Sequence, residues 1–164
     1  MRGVALVAAV VLLLSGCSVS KEGGATAVTR LPEATLQPPG EGDPVDLADL
    51  RGPMVINLWA SWCGPCADEL PDYQAFSEKY AGKVDVLGVD WQDTRTDKAK
   101  ALIRRTGVTY PLVTDPDGQV RNKYLPKLIL IDEKGRVAYQ KYVKITSVAQ
   151  LESLVEKHLK VPAT

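Results

Sequence analysis

The run Pro53–Ala60, "PMVINLWA", constrains this chain more than any other segment. It is apolar throughout except for Asn57. A strand with one wet face alternates apolar and polar residues, so a continuous run of this length reads as a strand covered on both faces. The residues downstream of it set the class. From Gly64 to Tyr80 apolar residues recur at Ala67, Leu70, Tyr73, Phe76 and Tyr80, a helical spacing, with Pro71 inside as an expected kink. Lys83–Trp91, "KVDVLGVDW", reads as a second buried strand, and Thr96–Gly107 as a helix stopped by its glycine. Tyr110–Asp115 is a short strand and "DPDG" a turn; Pro126–Asp132 and Arg136–Val143 form a hairpin. A final helix capped by Ser147 carries its stripe on Val148, Leu151, Leu154, Val155 and Leu159.

The order β-α-β-α-β-β-α implies an α/β fold with a mixed central sheet and helices on both faces. Ahead of it, Leu31–Gly52 holds two short edge segments joined by a turn at Pro38–Gly42, then a small helical turn around Asp46–Leu50. The 164 residues suit one domain with a proper core. Lys+Arg and Asp+Glu both number 20, so no basic excess argues for nucleic acid.

The first residues carry an address. After Arg2, the apolar run Gly3–Leu14 is about half of the roughly 20 residues a membrane-spanning helix needs, and small residues come directly after it. This reads as a secretory signal. Leu14-Ser15-Gly16-Cys17 resembles the bacterial lipobox. That resemblance implies a lipoprotein signal peptide at 1–16, a lipidated Cys17, a flexible tether to residue 30 and a folded domain over 31–164. The protein would then sit outside the cytoplasm, held to the cell membrane by its N-terminal lipid.

Cys63 and Cys66 are then the free thiols, in "WASWCGPC". A tetrahedral zinc site needs four ligands, and beyond this pair there is no second pair; the single histidine, His158, reads as a solvated helix-end residue. No metal or other cofactor is expected. A purely structural disulfide would close too small a loop to stabilise much. The pair sits where a buried strand ends and a helix begins, so a thiolate at Cys63 would meet unpaired amides and the positive end of the helix dipole. Cys66, one turn further in, would act second. Cys-X-X-Cys beside a βαβ pattern is a specific sign of thiol–disulfide exchange.

"WASWCGPC" resembles the active-site motif of the thioredoxin superfamily. The wider pattern, "LPEATL" to "VDLADLRG" and then "VINLWASWCGPCADELP", is similar to the TlpA/ResA-type branch of membrane-tethered extracytoplasmic thiol–disulfide oxidoreductases. The resemblance implies a thioredoxin-like fold, Cys63 as attacking and Cys66 as resolving cysteine. Gly64 and Pro65 lie between them, and Trp62 borders the exposed sulfur, unless it is mere surface packing. Pro126, preceded by Leu125, matches the family's cis-proline, which packs against the disulfide and presents backbone to substrate.

Asn57 stands where thioredoxin carries a buried aspartate, whereas Glu69 matches the branch's glutamate three residues past the second cysteine. Three residues along a helix return nearly to the same face. Glu69 would therefore exchange a proton with Cys66, or else be a plain early-helix acid. Lys127 replaces the family's Thr or Ser after the proline: near Cys63 it would favour the thiolate, and pointing away it would be a solvated edge lysine. The approach "DGQVRNKYLP" is shorter than the family's usual one. Trp91 ends a strand whose tip should lie near the motif, and reads as core packing unless it faces the active site.

The implied partners are thiol- or disulfide-bearing client proteins and a second redox protein. The expected direction is reducing, with apocytochrome c haem-attachment cysteines as one client class. An oxidant making disulfides in secreted proteins, a tethered copper-binding module and a peroxidase-like activity are the alternatives.

Overall fold

The computed structural model describes residues 29–163; the signal segment, Cys17 and the tether up to residue 28 lie outside the described residues. Thr29 and Arg30, placed in the tether from sequence, are bound to the domain. Val137 N donates to the Thr29 carbonyl at 2.8 Å, and Arg30 Nη1 donates to the Lys134 carbonyl at 2.9 Å.

The element order is β1 (Thr35–Leu36), β2 (Val45–Asp46), a 3-10 turn (Leu47–Asp49), β3 (Met54–Trp59), α1 (Gly64–Lys79), β4 (Asp85–Trp91), α2 (Thr96–Thr106), β5 (Leu112–Asp115), β6 (Lys127–Ile131), β7 (Val137–Tyr142) and α3 (Val148–Leu159). β1 and β2 pair with each other, and the other five strands form one sheet in the order β5-β4-β3-β6-β7. β3, β4 and β5 run parallel, while β6 is antiparallel to β3 and to β7, so the sheet is mixed.

Every residue of β3 is buried, as its apolar run requires. Val55 and Trp59 face one core with Leu70, Tyr73 and Phe76 of α1, Leu102 of α2 and Val155 of α3. Met54, Ile56 and Leu58 face a second core with Leu36, Leu47 and Val120. The crossovers β3–α1–β4 and β4–α2–β5 step the same way across the sheet, and right-handed connections then put both helices on one face. The helices α1, α2 and α3 therefore share that face. The other face carries the 3-10 helix Leu47–Asp49 and, among the described residues, is otherwise closed by the β1–β2 pair and the loop between β5 and β6. Pro116 and Gly118, the latter at φ 68°, break helical continuity at the start of that loop. Buried Asp115 shapes it instead, accepting from Gln119 N and Val120 N, each at 2.8 Å.

The termini of the helices reflect their residues. Cys63 caps α1 in an extended conformation, and α1 runs on through Pro71. Gly107 ends α2 at φ 69°, and Ser147 Oγ accepts from Gln150 N at 3.2 Å to start α3. Two X-Pro bonds are cis, Leu125–Pro126 and Gly52–Pro53. The second was not anticipated; a Cβ at position 52 would overlap the Ile131 carbonyl, so glycine is required there.

Candidate active site: the cysteine pair and its buried acids

β3 ends at Trp59, and three residues of loop lead to Cys63, the N-cap of α1. Pro65 fits the first turn because an amide there has no helical partner to lose. Cys63 and Cys66 form a disulfide, and Cys66 N also points at Cys63 Sγ, 3.2 Å away. Cys63 is 6 % exposed and Cys66 fully buried, so the outer sulfur belongs to Cys63. Gly64 and Pro65 are exposed beside it, and a Cβ on Gly64 would meet nothing within 4 Å. The surface next to the sulfur is open.

Sheet topology brings a second element to this end. β6 runs antiparallel beside β3 with Lys127 opposite Leu58, which places buried cis-Pro126 across from Trp59, at the exit towards the motif. Leu125 is half-buried and packs against both cores. Trp62 is 49 % exposed, and its Nε1 donates to the Gln92 carbonyl at 3.3 Å. Trp91 packs in the second core and donates from Nε1 to the Val120 carbonyl at 2.9 Å, tying down the loop that leads to Leu125.

Glu69 lies wholly inside. Its Oε2 accepts from Ile145 N at 2.8 Å, while Oε1 has no partner. Burial raises its pKa to about 8, against the opposing pull of the Ile145 amide and the Lys144 ammonium. A carboxyl that loses its proton near pH 8 is matched to thiol chemistry. The phenols of Tyr73 and Tyr110 adjoin it electrostatically; burial first, and then Glu69, push both upward. Asn57 is buried, its Oδ1 accepting from Tyr110 Oη at 3.4 Å, with no ionisable proton to contribute.

Lys127 takes neither expected position. It is 7 % exposed rather than solvated. Strand alternation aims it away from Leu128 and Leu130, which share the core of Cys63, and its Nζ lies 5.4 Å from the centroid of the Tyr142 ring. Burial lowers its pKa. The reason is cover: the N-terminal segment and β7 enclose a position that sequence alone reads as an edge. His158 is half-buried rather than solvated, stacked on Tyr139 with centroids 4.1 Å apart. Among the described residues no group of three or more His, Cys, Asp or Glu side chains could hold a metal.

Two acids were missed. Asp93, after β4, accepts from Ser61 N at 2.6 Å and from Arg95 N at 2.9 Å, so it grips the loop that carries the motif. Burial alone would raise its pKa, but these hydrogen bonds and the Arg95 charge bring it below the usual value. Asp90 is 4 % exposed with Oδ1 unpartnered, and burial, aided by the Asp93 charge, raises it to about 7. The signal available was "VDWQD": two acids at the end of an otherwise apolar strand.

The site has relatives. The thiol–disulfide oxidoreductase ResA of Bacillus anthracis is 32 % identical over 71 % of this chain and 70 % of its own length. The sporulation thiol–disulfide oxidoreductase A of Bacillus subtilis is 25 % identical over 77 % of this chain and 81 % of its own. A secreted thiol-disulfide isomerase from Corynebacterium glutamicum superposes with a TM-score of 0.64 at 26 % identity, covering 79 % of this chain and 83 % of that one. Residues 28–140 match the AhpC/TSA family. With this fold and this cysteine pair, the chain belongs to the AhpC/TSA family, as a thioredoxin-like thiol–disulfide oxidoreductase of the ResA type.

Proposed function

We propose that the protein is a lipid-anchored, extracytoplasmic reductant of client-protein disulfides. The observation that carries the chemistry is the graded cysteine pair, Cys63 outermost at the start of α1 and Cys66 sealed beneath it, with buried Glu69 three residues beyond. In the reduced protein the Cys63 thiolate attacks one sulfur of a client disulfide. A mixed disulfide forms and the first client thiolate leaves. Cys66 then attacks Cys63 Sγ, its proton passing to the fraction of Glu69 that is ionised at neutral pH with a pKa of about 8; the second client thiolate leaves, and the proton passes on to it. Two electrons move from the pair to the client, and the Cys63–Cys66 disulfide is the product.

Trp62, Gly64, Pro65 and the Leu125–Pro126 edge are the substrate groove in this reading, with Lys127 behind that edge. The open surface at Gly64 supports it. Placement outside the cytoplasm rests on the signal-like run before Cys17, and a relative described as secreted supports it. Haem-attachment cysteines of apocytochrome c are the client class expected for this branch.

The deciding measurement is the reduction potential of the Cys63–Cys66 couple, followed by Trp fluorescence against a thiol buffer. A value near or below about −270 mV supports the reductant. A value near about −120 mV replaces it with an oxidant that installs disulfides.

A further inference from the structure

On the face of the sheet away from the disulfide lies a pocket of about 260 Å³, between the N-terminal segment, the β5–β6 loop and strands β6 and β7. Its floor is apolar, from Val120, Ile129 and Val137. Its charged lining is Arg30, Arg121 and Lys127, and it includes no Asp or Glu. None of these three cations has a carboxylate partner among the described residues. Arg30 is oriented by the carbonyls of Lys134 and Gly135, at 2.9 and 3.4 Å, which accept its hydrogens without cancelling its charge. Lys127 is more than nine-tenths buried, with its Nζ 5.4 Å from the centroid of the Tyr142 ring. A cation withdrawn from water without a counter-charge costs free energy unless an anion joins it. Burial accordingly pushes the Lys127 pKa down.

We infer that this pocket binds a carboxylate carried on a short apolar stem. Two guanidinium groups offer planar, forked donors for a carboxylate and the ammonium adds a point charge. The apolar floor accepts methylene groups and disfavours a strongly hydrated dianion. Two sources share this chemistry, a glutamate side chain of a client protein and a free small carboxylate. Position favours the client: Lys127 is the residue directly after Pro126, and Arg121 belongs to the loop that carries Leu125. That choice of source rests on the function proposed above, whereas the pocket does not.

The test is a titration of the isotope-labelled full chain, in its disulfide form, with 4-methylpentanoate and with its neutral amide. The acid should shift the backbone resonances of Val120, Arg121 and Ile129 saturably, and the amide should bind about tenfold more weakly or worse. Lys127→Met, which keeps most of the stem, should weaken the acid by about tenfold. Arg121→Gln on the exposed loop should weaken it in the same direction, and serves if the Lys127 variant does not fold. Equal binding of acid and amide, or unchanged binding in the variants, overturns the inference.

A second arm separates the sources. Two disulfide-bearing peptides differing only in Glu against Gln are compared by the ratio of their reduction rates. A preference for Glu that vanishes in Lys127→Met assigns the pocket to clients. No preference, with the acid still binding, overturns the client source and assigns it to a free carboxylate. The titration involves no thiol exchange, so it stands or falls apart from the redox assignment.

Discussion

Glu69, on the helix side of the cysteine motif, and Asp93, on its loop side, are both nearly buried, at 0 % and 7 % exposure, yet their acidities move in opposite directions. Asp93 receives two backbone amides and lies 3.7 Å from Arg95 Nε. Glu69 receives one amide, and its second oxygen has no partner. Burial penalises the charged form of each, more so for Glu69, while for Asp93 the amide donors and the Arg95 charge outweigh it. The loop-side acid is thereby fixed as an anion that holds Ser61 in place. The helix-side acid, three residues past buried Cys66 in sequence, is left able to gain and lose a proton.

Removing the ionisable group from the helix side tests this contrast most severely. Glu69→Gln should slow reduction of a client disulfide at neutral pH by about a hundredfold, the usual size of a positioned acid–base group. Stability gives an independent reading. The folded pKa lies near 8, above the ordinary 4.5, so between those values the native state holds a proton that the unfolded chain has released. The Glu69 contribution to stability therefore falls as pH rises through that window, by on the order of 4 kcal/mol. In the variant the slope should become shallower by that amount, leaving the share that buried Asp90, raised to about 7, contributes, as urea unfolding of the disulfide form at pH 4.5 and pH 9 would show. A slope in the variant as steep as in the wild type would mean that folding does not raise the Glu69 pKa, and the contrast with Asp93 would collapse.

The loop side should respond differently. Asp93→Ala strips a partner from the Ser61 amide and should cost about 1–3 kcal/mol at neutral pH. Because the Asp93 pKa is depressed, its contribution is present above the ordinary carboxylate range and lost as pH falls through the lowered value. The deficit of the variant should accordingly shrink on strong acidification, opposite in sign to the Glu69 effect. A deficit that grows in acid would break the assignment.

Much of this arrangement is legible in the residues. Apolar continuity marks β3 and β4, spacing of three and four marks α1 and α3, and Ser147 and Gly107 mark ends, because each signal is local. The strand-to-helix junction locates the cysteines, and resemblance supplies cis-Pro126 and the helical offset of Glu69. What escapes is long-range. The Ser61–Asp93 bond spans 32 residues of chain, and nothing near Asp93 announces its partner. Lys127, read as either a neighbour of Cys63 or a solvated edge lysine, is neither, because its cover comes from Thr29–Pro32 and from β7, distant in sequence. On the second face, which among the described residues carries the 3-10 turn and no α-helix, the packing of the β5–β6 loop through Val120 is not visible in the sequence.

Smaller effects sharpen the contrast. Asp90 owes part of its raised pKa to the neighbouring Asp93 charge, after burial itself. Asp93→Asn should keep much of the loop contact while removing that charge, and Asp90 should titrate lower by on the order of half a unit to one unit. Carbon-detected NMR of the side-chain carboxyls would track it directly. An unmoved Asp90 would mean that burial alone sets its value, and that the two loop-side acids act separately.

The smallest expected change returns to the helix side. Lys144 bridges to Asp68 at 2.7 Å across the surface, and its charge, behind burial and the Ile145 amide, opposes the rise in the Glu69 pKa. Both partners of the bridge are well exposed, so the pair itself adds little stability. Lys144→Ala should leave unfolding within about 0.5 kcal/mol of wild type. It should still raise the Glu69 pKa by about a few tenths of a unit, and less at high salt, where the exposed charge is screened. A downward shift would be incompatible with a cation acting on Glu69 from that side. A shift of the expected sign, with stability unchanged, would show that the surface of the helix side adjusts the proton exchange without holding the fold, whereas on the loop side one carboxylate both carries charge and holds structure.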